Sequence, residues 1–205
     1  ESIIIPGSVK RIGNGAFYGC KDLKHVNLNE GLEEIGHVAF YGSGLESINI
    51  PESVTRIGDE AFIRCKNLKH VTLNEGLEEI GGGAFAGSGL ESIKIPGSVK
   101  RSGNGAFDHC KNLKHIIVEE DAADKVKNLL PKEHKDKVIL IKHYERAQGM
   151  IQSIKVNEYT APVMESTPLP SDLANIVGSY LDDEADARMQ AVQIPRTDDA
   201  KDWIE

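Results

Sequence analysis

A short repeat dominates this sequence up to about residue 118. Similar segments recur at spacings of 22 or 23 residues, and the phenylalanines keep the same spacing as the leucines. A segment this short cannot bury its own apolar face, so it must stack on its neighbours. When every phenylalanine holds one phase of a repeat, the simplest role is a buried core ladder. The residues concerned are Leu23, Leu45, Leu68, Leu90 and Leu113, with Phe17, Phe40, Phe62, Phe85 and Phe107.

Each repeat unit contains two short apolar patterns. The first follows L-x-x-[VI]-x-[LI], as in "LKHVNL" and "LESINI", and this alternation indicates a strand with one buried face. The second, such as "SVTRIG" or "GLEEIG", precedes an Ala-Phe pair and a turn. A strand with a tight return in each unit predicts a parallel solenoid whose strands stack about 4.8 Å apart.

Residues 50–73 read "IPESVTRIGDEAFIRCKNLKHVTL". This stretch resembles the BspA-like (Treponema-type) leucine-rich repeat family, whose signature is IPxSVxxIGxxAFxxCxxLxxVxL, and the resemblance covers residues 1–118 as about five coils. It implies an α/β repeat fold, a curved leucine-rich-repeat solenoid with a parallel β-sheet on its concave face. It also implies a recognition role, often on bacterial or protist surfaces, with no catalytic residues. The chain opens in mid-repeat, so we expect an upstream segment.

Successive coils alternate between an "LKH…GLEEIG" type and an "LES…SVKRIG" type. Stacking them in register places unlike charges side by side, and each exposed pair contributes about 0.2–1 kcal/mol. A slip by one coil would stack like charges on like, so the alternation predicts the register. The first outward row is Glu1, Lys24, Glu46, Lys69, Glu91 and Lys114.

The only cysteines, Cys20, Cys65 and Cys110, each precede a histidine by five residues. This Cys-x4-His pattern would suit a metal site or a thiol nucleophile. However, the alternate coils carry Ser43 and Ser88 at the same phase, which predicts a buried Cys/Ser ladder. Equivalent residues two coils apart are about 9–10 Å apart, too far for a disulfide or for one shared zinc ion. We therefore predict no catalytic residue, no metal and no cofactor.

The predicted function is non-enzymatic protein–protein interaction through the concave face. In the L-x-x-V-x-L pattern the alternate residues point outward, which places the histidines in an exposed Ser/His row. An enzyme would need a converging polar cluster in a pocket, and the repeat predicts none. The predicted contact residues are Lys24, His25, Asn27, Glu46, Ser47, Asn49, Lys69, His70, Thr72, Glu91, Ser92, Lys94, Lys114, His115 and Ile117.

The repeat pattern ends near residue 118, and we predict that residues 119–156 form a C-terminal cap over the solenoid. Within it, residues 119–131 read as a helix, and residues 137–144 and 151–156 read as strands. Three prolines and little periodicity make residues 157–170 a predicted linker. The helix at 119–131 would bury Ala123, Val126, Leu129 and Leu130.

Residues 171–205 are predicted to form an acidic helical tail. The stretch "LPSDLANIVGSYL", residues 169–181, is similar to the opening helix of F-box motifs. That resemblance implies an alternative function, a substrate-receptor subunit of a ubiquitin ligase whose repeats select the substrate and whose tail docks an adaptor. An amphipathic helix that packs on the cap or awaits a partner explains the same pattern. The matching residues are Leu169, Pro170, Asp172, Leu173, Ile176, Tyr180 and Leu181.

The charge distribution narrows the class of partner. The net charge is −8, and residues 157–205 alone hold 11 acidic against 3 basic residues. The chain therefore offers no basic footprint for nucleic acid, and protein partners are expected. No apolar run reaches the roughly 18 residues of a membrane span, and a monomer is favoured. Unpaired thiols favour a reducing compartment, whereas the family resemblance leaves the cell surface open.

Overall fold

The computed structural model describes residues 1–145 and 147–148. The chain divides into two compact units, Glu1–Val138 and Ile139–Glu205. In the first unit each of the first five coils of the solenoid contributes two short strands, and the sixth contributes one. The strands of the concave face are β1 (Ser2–Ile5), β3 (His25–Leu28), β5 (Ser47–Asn49), β7 (His70–Thr72), β9 (Ser92–Lys94) and β11 (His115–Val118). Those of the return face are β2 (Arg11–Ile12), β4 (Glu34–Ile35), β6 (Arg56–Ile57), β8 (Glu79–Ile80) and β10 (Arg101–Ser102).

Six concave strands mean six coils, one more than the five that the leucine spacing predicts. The first coil was undercounted because its strand follows Glu1 directly, without the leucine that opens the later units. The fold class is as predicted, a parallel solenoid. The sheets run β1-β3-β5-β7 on one face and β10-β8-β6-β4-β2 on the other, and β9 pairs with β11.

The register follows the charge alternation, as predicted. The strand pairs between neighbouring coils are parallel, with Ile3 opposite Val26 and Ile48 opposite Val71. In β3, Val26 and Leu28 are buried while His25 and Asn27 are exposed, because successive side chains of a strand point to opposite faces. The buried partners of neighbouring coils therefore meet in one continuous apolar core.

The phenylalanines form the predicted core ladder. Neighbouring rings from Phe17 to Phe107 are stacked, with centroids 5.0–5.6 Å apart. The rings from the second coil to the fifth are at most 1% exposed. Phe17, in the first coil, is half-buried because only one neighbouring ring covers it. Aromatic stacking thus runs through the interior of the whole solenoid.

Two of the three cysteines occupy the predicted buried ladder. The Cys65 thiol donates to the Phe40 carbonyl at 3.0 Å and lies 3.4 Å from the Ser43 hydroxyl. Two coils later, Cys110 makes the same two contacts with Phe85 and Ser88. Burial raises the pKa of both thiols. The prediction is wrong for Cys20, which is exposed. The carbonyl and the serine that cover a buried cysteine belong to the coil before it, and Cys20 lies in the first coil.

The segment after the repeats begins with a short helix, as predicted. Helix α1 (Ala123–Leu129) is followed by α2 (Lys132–Lys135) and β12 (Val138–Leu140). Residues 122, 126 and 130 are buried, a spacing of four, whereas Ala123 and Leu129 of the predicted face are only half-buried. The predicted strand over 137–144 is wrong beyond residue 140, because residues 141–145 are helical. A short apolar run does not distinguish strand from helix.

The remaining predictions fall on residues outside the described ones. These are the strand over 151–156, the linker over 157–170, the F-box-like stretch over 169–181 and the acidic tail over 171–205. Within the described part of the chain, none of the helices combines the length and the apolarity that a membrane span requires.

Candidate protein-binding surface

The predicted contact residues lie in three parallel rows on the concave face, except at its last strand. Most are exposed, and the serines and Lys94 are half-buried. Each row runs across the strands because equivalent positions are in register from coil to coil. The exposed members are Lys24, His25, Asn27, Glu46, Asn49, Lys69, His70, Thr72, Glu91 and Lys114, and the half-buried ones are Ser47, Ser92 and Lys94.

The first row consists of charges that pair with one another. Lys24 lies 3.0 Å from Glu46, and Lys69 lies 3.2 Å from Glu91. The hydrogen bond and positive charge of Lys24 lower the pKa of Glu46 below its usual value. These side chains are about half exposed, so each pair stabilises the fold only slightly. Their main effect is to neutralise the charge of this row.

The central row alternates imidazole and hydroxyl groups. His25 is opposite Ser47, Ser47 is opposite His70, and both histidines are exposed. The smaller serine side chains leave space between the rings on either side. This arrangement confirms the outward direction predicted for His25 and His70, and it presents ring nitrogens that can both donate and accept hydrogen bonds.

The third row carries amide and hydroxyl groups that the fold does not use. The side chains of Asn27, Asn49 and Thr72 form no hydrogen bond with any described residue. Two asparagines just beyond the strands behave differently, because Asn29 donates to the Ile5 carbonyl at 3.0 Å and Asn74 to the Ile50 carbonyl at 2.7 Å. The fold therefore uses asparagines at the rim of the face and leaves those at its centre facing solvent.

The prediction is wrong for the last strand, where His115 and Ile117 are buried, with 6% and 7% exposed. The chain returns beside β11 at Lys137, whose carbonyl accepts a hydrogen bond of 2.8 Å from the Ile116 amide. The equivalent outward positions remain exposed in the second and fourth coils. Burial and the nearby Lys114 charge lower the pKa of His115, which is typical of a histidine removed from water.

Lys94 is also less available than the repeat predicts. Its ammonium lies 2.6 Å from the Glu119 carboxylate, directly after the last strand. The open part of the concave face therefore extends from the first coil, where Ser2 and Ile4 are exposed, to the fourth. The open part excludes the two buried residues of β11. In the fifth coil, the Lys94 ammonium is already paired with the Glu119 carboxylate.

Sequence reasoning missed a small aromatic group on the turns that follow the phenylalanines. Tyr18 and Tyr41 stack with ring centroids 4.6 Å apart, and Tyr18 is 58% exposed. The Arg64 guanidinium donates to the Tyr41 hydroxyl at 2.9 Å. Tyrosine and arginine are common among residues that dominate binding energies. The signal was present in the sequence, because both tyrosines occupy the position after the repeat phenylalanine.

The repeat region is similar to known leucine-rich repeat proteins. Residues 1–114 match the family model described as "BspA type Leucine rich repeat region", in six copies. The crystal structure of the pneumococcal vaccine antigen PcpA is 38% identical with a TM-score of 0.57, over 60% of this chain and 31% of that chain. The leucine-rich repeat protein of T. pallidum is 31% identical with a TM-score of 0.55, over 57% of both chains. This chain thus spans less than two thirds of either neighbour, and no curated protein gives a significant match.

Proposed function

Because the chain belongs to the BspA-type leucine-rich repeat family, we propose that it is a non-enzymatic module that recognises a protein partner through its concave face. The observation that carries the proposal is the third row of that face. Asn27, Asn49 and Thr72 hold hydrogen-bonding groups that the described chain leaves unused, at one register position of three successive strands. A partner surface can satisfy all three without disturbing the fold.

The charge pattern indicates what kind of protein surface would fit. Lys24–Glu46 and Lys69–Glu91 neutralise their own row, so the face attracts neither strongly acidic nor strongly basic partners. The adjacent imidazole and amide groups favour a polar surface that offers both donors and acceptors. Specificity would then come from matching hydrogen bonds, because an unmatched polar group costs free energy when an interface buries it.

The proposal is tested by comparing proteins captured by the full chain and by matched variants. A concave variant combines Asn49→Ala, His70→Ala and Thr72→Ala, and a control variant combines Lys10→Ala and Glu33→Ala on the return face. Mass spectrometry identifies the captured partner, and titration of the purified pair measures its Kd. We expect the concave variant to bind at least about tenfold more weakly, which corresponds to about 1.4 kcal/mol, and the control to bind normally.

A different result would refute the concave-face proposal. If the concave variant bound as tightly as the wild type while deletion of residues 157–205 abolished capture, recognition would belong to the tail. Both variants replace exposed side chains, so circular dichroism and thermal melting should show that each remains folded.

The second candidate, a substrate receptor of a ubiquitin ligase, rests on the sequence of residues 169–181 alone. Those residues lie outside the described part of the chain. The candidate predicts that the chain co-purifies with a ligase adaptor and that Leu173→Asp removes the adaptor without affecting concave-face binding. Co-purification that persists in this variant, or that never occurs, would eliminate it.

We further propose that the segment from residue 119 closes the end of the solenoid, as its predicted role as a cap requires. Val126 of α1 is buried, and the Lys125 ammonium donates to the Gly97 carbonyl at 2.5 Å. Val126→Asp should therefore lower the melting temperature of the whole repeat array. A variant whose repeats melted as in the wild type would contradict this role.

A further inference from the structure

His134 occupies the end of the phenylalanine ladder. Its ring lies edge-on to Phe107, with centroids 6.4 Å apart and planes at 88°. Only 6% of the residue is exposed. Neither of its ring nitrogens, Nδ1 or Nε2, has a hydrogen-bond partner among residues 1–145 and 147–148. A hydrocarbon ring would suit the packing equally well, so the polar edge of this histidine requires another explanation.

Leaving a buried polar group unsatisfied costs about 1–3 kcal/mol, and native proteins rarely accept that cost without a reason. Two carboxylates lie beside the unsatisfied ring. Asp108, Glu133 and His134 each offer one ligand atom, and these atoms all lie within 4.8 Å of one another. Asp108 is half-buried and Glu133 is exposed, so the group opens from the interior toward solvent. The imidazole is thus aimed at a concentration of negative charge.

The position of Asp108 departs from the repeat. It follows the last phenylalanine, where the four earlier coils carry Tyr18, Tyr41, Ile63 and Ala86. A carboxylate replaces an apolar or aromatic side chain only in the coil that α2 covers. In the first two coils the tyrosines at this position stack on each other, a contact that a carboxylate cannot make.

The distances between the His134 ring and the two carboxylates indicate how these groups could interact. No ion pair of 4.0 Å or less joins the His134 ring to either carboxylate in the described chain. The atoms therefore stand too far apart for direct hydrogen bonds and close enough for a shared cation. Ligand atoms of a tetrahedral ion with bonds of about 2.0–2.2 Å are roughly 3.3–3.5 Å apart, so small side-chain rotations complete the site.

We propose that Asp108, Glu133 and His134 bind a divalent transition-metal ion, with Zn²⁺ as the best fit, and that the ion fastens α2 to the fifth coil. Two carboxylates compensate the charge of a divalent cation, and one imidazole nitrogen favours zinc over calcium or magnesium, which prefer oxygen ligands. Water would complete four-coordination. The role is structural, because all three ligands lie in the first compact unit and join two segments of it.

This site is distinct from the Cys-x4-His pattern that the sequence analysis set aside. It uses none of the cysteines and none of the histidines of the concave row. It also does not depend on the proposed function, because the concave face and the ladder end involve different residues. Failure of one proposal would leave the other unchanged.

Calorimetric titration of the tag-free full chain, stripped with chelator, tests the site with zinc chloride as the probe. We expect one equivalent of Zn²⁺ to bind in the micromolar range or tighter, with a rise in Tm of several degrees under saturating metal. His134→Phe keeps an aromatic ring against Phe107, and Asp108→Asn keeps the side-chain shape. Each should weaken zinc binding at least tenfold and abolish the Tm rise.

The matched control is His109→Asn, which removes an exposed imidazole next to the site. His109 has a positive φ of 58°, a conformation that asparagine tolerates. It should bind zinc as the wild type does. The proposal is overturned if the wild type binds no zinc, if His134→Phe retains full affinity, or if His109→Asn loses it. Equal binding of calcium would also overturn it, because an acidic surface without the imidazole would explain that result.

Discussion

The two faces of the solenoid use the same kinds of polar side chain for different purposes. On the return face, the charges are joined across coils: Arg56 lies 2.7 Å from Glu34 and 3.5 Å from Glu79. Lys100 and Arg101 continue the pattern to Glu78 and Glu79. On the concave face the outermost row is paired in this way, whereas the inner-row side chains of Asn27, Asn49 and Thr72 face solvent without hydrogen bonds in the described chain.

This difference separates charges that set the register from groups available for recognition. Ionic contacts between coils oppose a slip of the stack, since a one-coil shift brings like charges together. Unused amide and imidazole groups stabilise nothing in the isolated chain. Those groups are the ones that the proposed recognition of a partner would use.

The largest expected loss of stability comes from a substitution in the core that lies beneath both faces. Phe62 is fully buried between Phe40 and Phe85, with centroid distances of 5.1 and 5.3 Å. Phe62→Ala should lower the free energy of unfolding by about 3–5 kcal/mol, because it leaves a cavity in the ladder. Urea denaturation followed by circular dichroism measures the loss. A loss below about 1 kcal/mol would mean that the ladder does not hold the coils together.

A smaller loss of stability should distinguish the return face from the concave face. Arg56→Ala removes two ionic contacts on the return face, and we expect a loss of about 0.5–1 kcal/mol because these side chains are partly exposed. Thr72→Ala, its counterpart on the concave face, should change stability by less than about 0.5 kcal/mol. Urea denaturation at low and at high salt measures both. The loss of stability in Arg56→Ala should shrink at high salt. Equal losses in the two variants would contradict the proposed difference between the two faces.

The smallest effect concerns pH. Lys24 lowers the pKa of Glu46 on the concave face, and Lys100 lowers the pKa of Glu78 on the return face. A carboxyl whose pKa is lower in the folded chain contributes stability above its unfolded pKa and loses it as the pH falls through the folded pKa. Glu46→Gln and Glu78→Gln should therefore each flatten the stability–pH curve slightly between about pH 5 and pH 3.

Thermal melting across that pH range checks both glutamine variants against the wild type. Both carboxylates are about half exposed and each pairs with one lysine, so the two variants should behave alike. A large difference between them would show that the paired row of the concave face also contributes to folding, contrary to the division between the faces described above.

Residue periodicity was sufficient to predict most of the solenoid. The directions of Val26 and His25 follow from strand alternation, and the stacking of Phe40 on Phe62 follows from one shared phase. The pairing of Lys24 with Glu46 follows from the alternation of coil types. Each of these depends on a neighbour at a constant sequence distance, so a local pattern specifies the contact.

The predictions were wrong for residues that lack the usual neighbour 22 or 23 residues away in the sequence. Periodicity predicts that His115 resembles His25 and His70, but His115 is buried whereas the other two are exposed. It also predicts that Cys20 resembles Cys65, but the covering groups belong to the preceding coil. Only at the ends of a stack do equivalent residues meet different surroundings.

The sequence by itself therefore determined the repeating unit, its register and the direction of each side chain, because stacked coils place identical residues in identical environments. The tertiary structure decided which side chains are buried where the repeats end. It buried the last histidine of the concave row and so ended the open face before the last strand. It also brought Asp108 to Glu133 and His134, which no spacing relates. That contact depends on how the segment after the repeats folds back on the fifth coil.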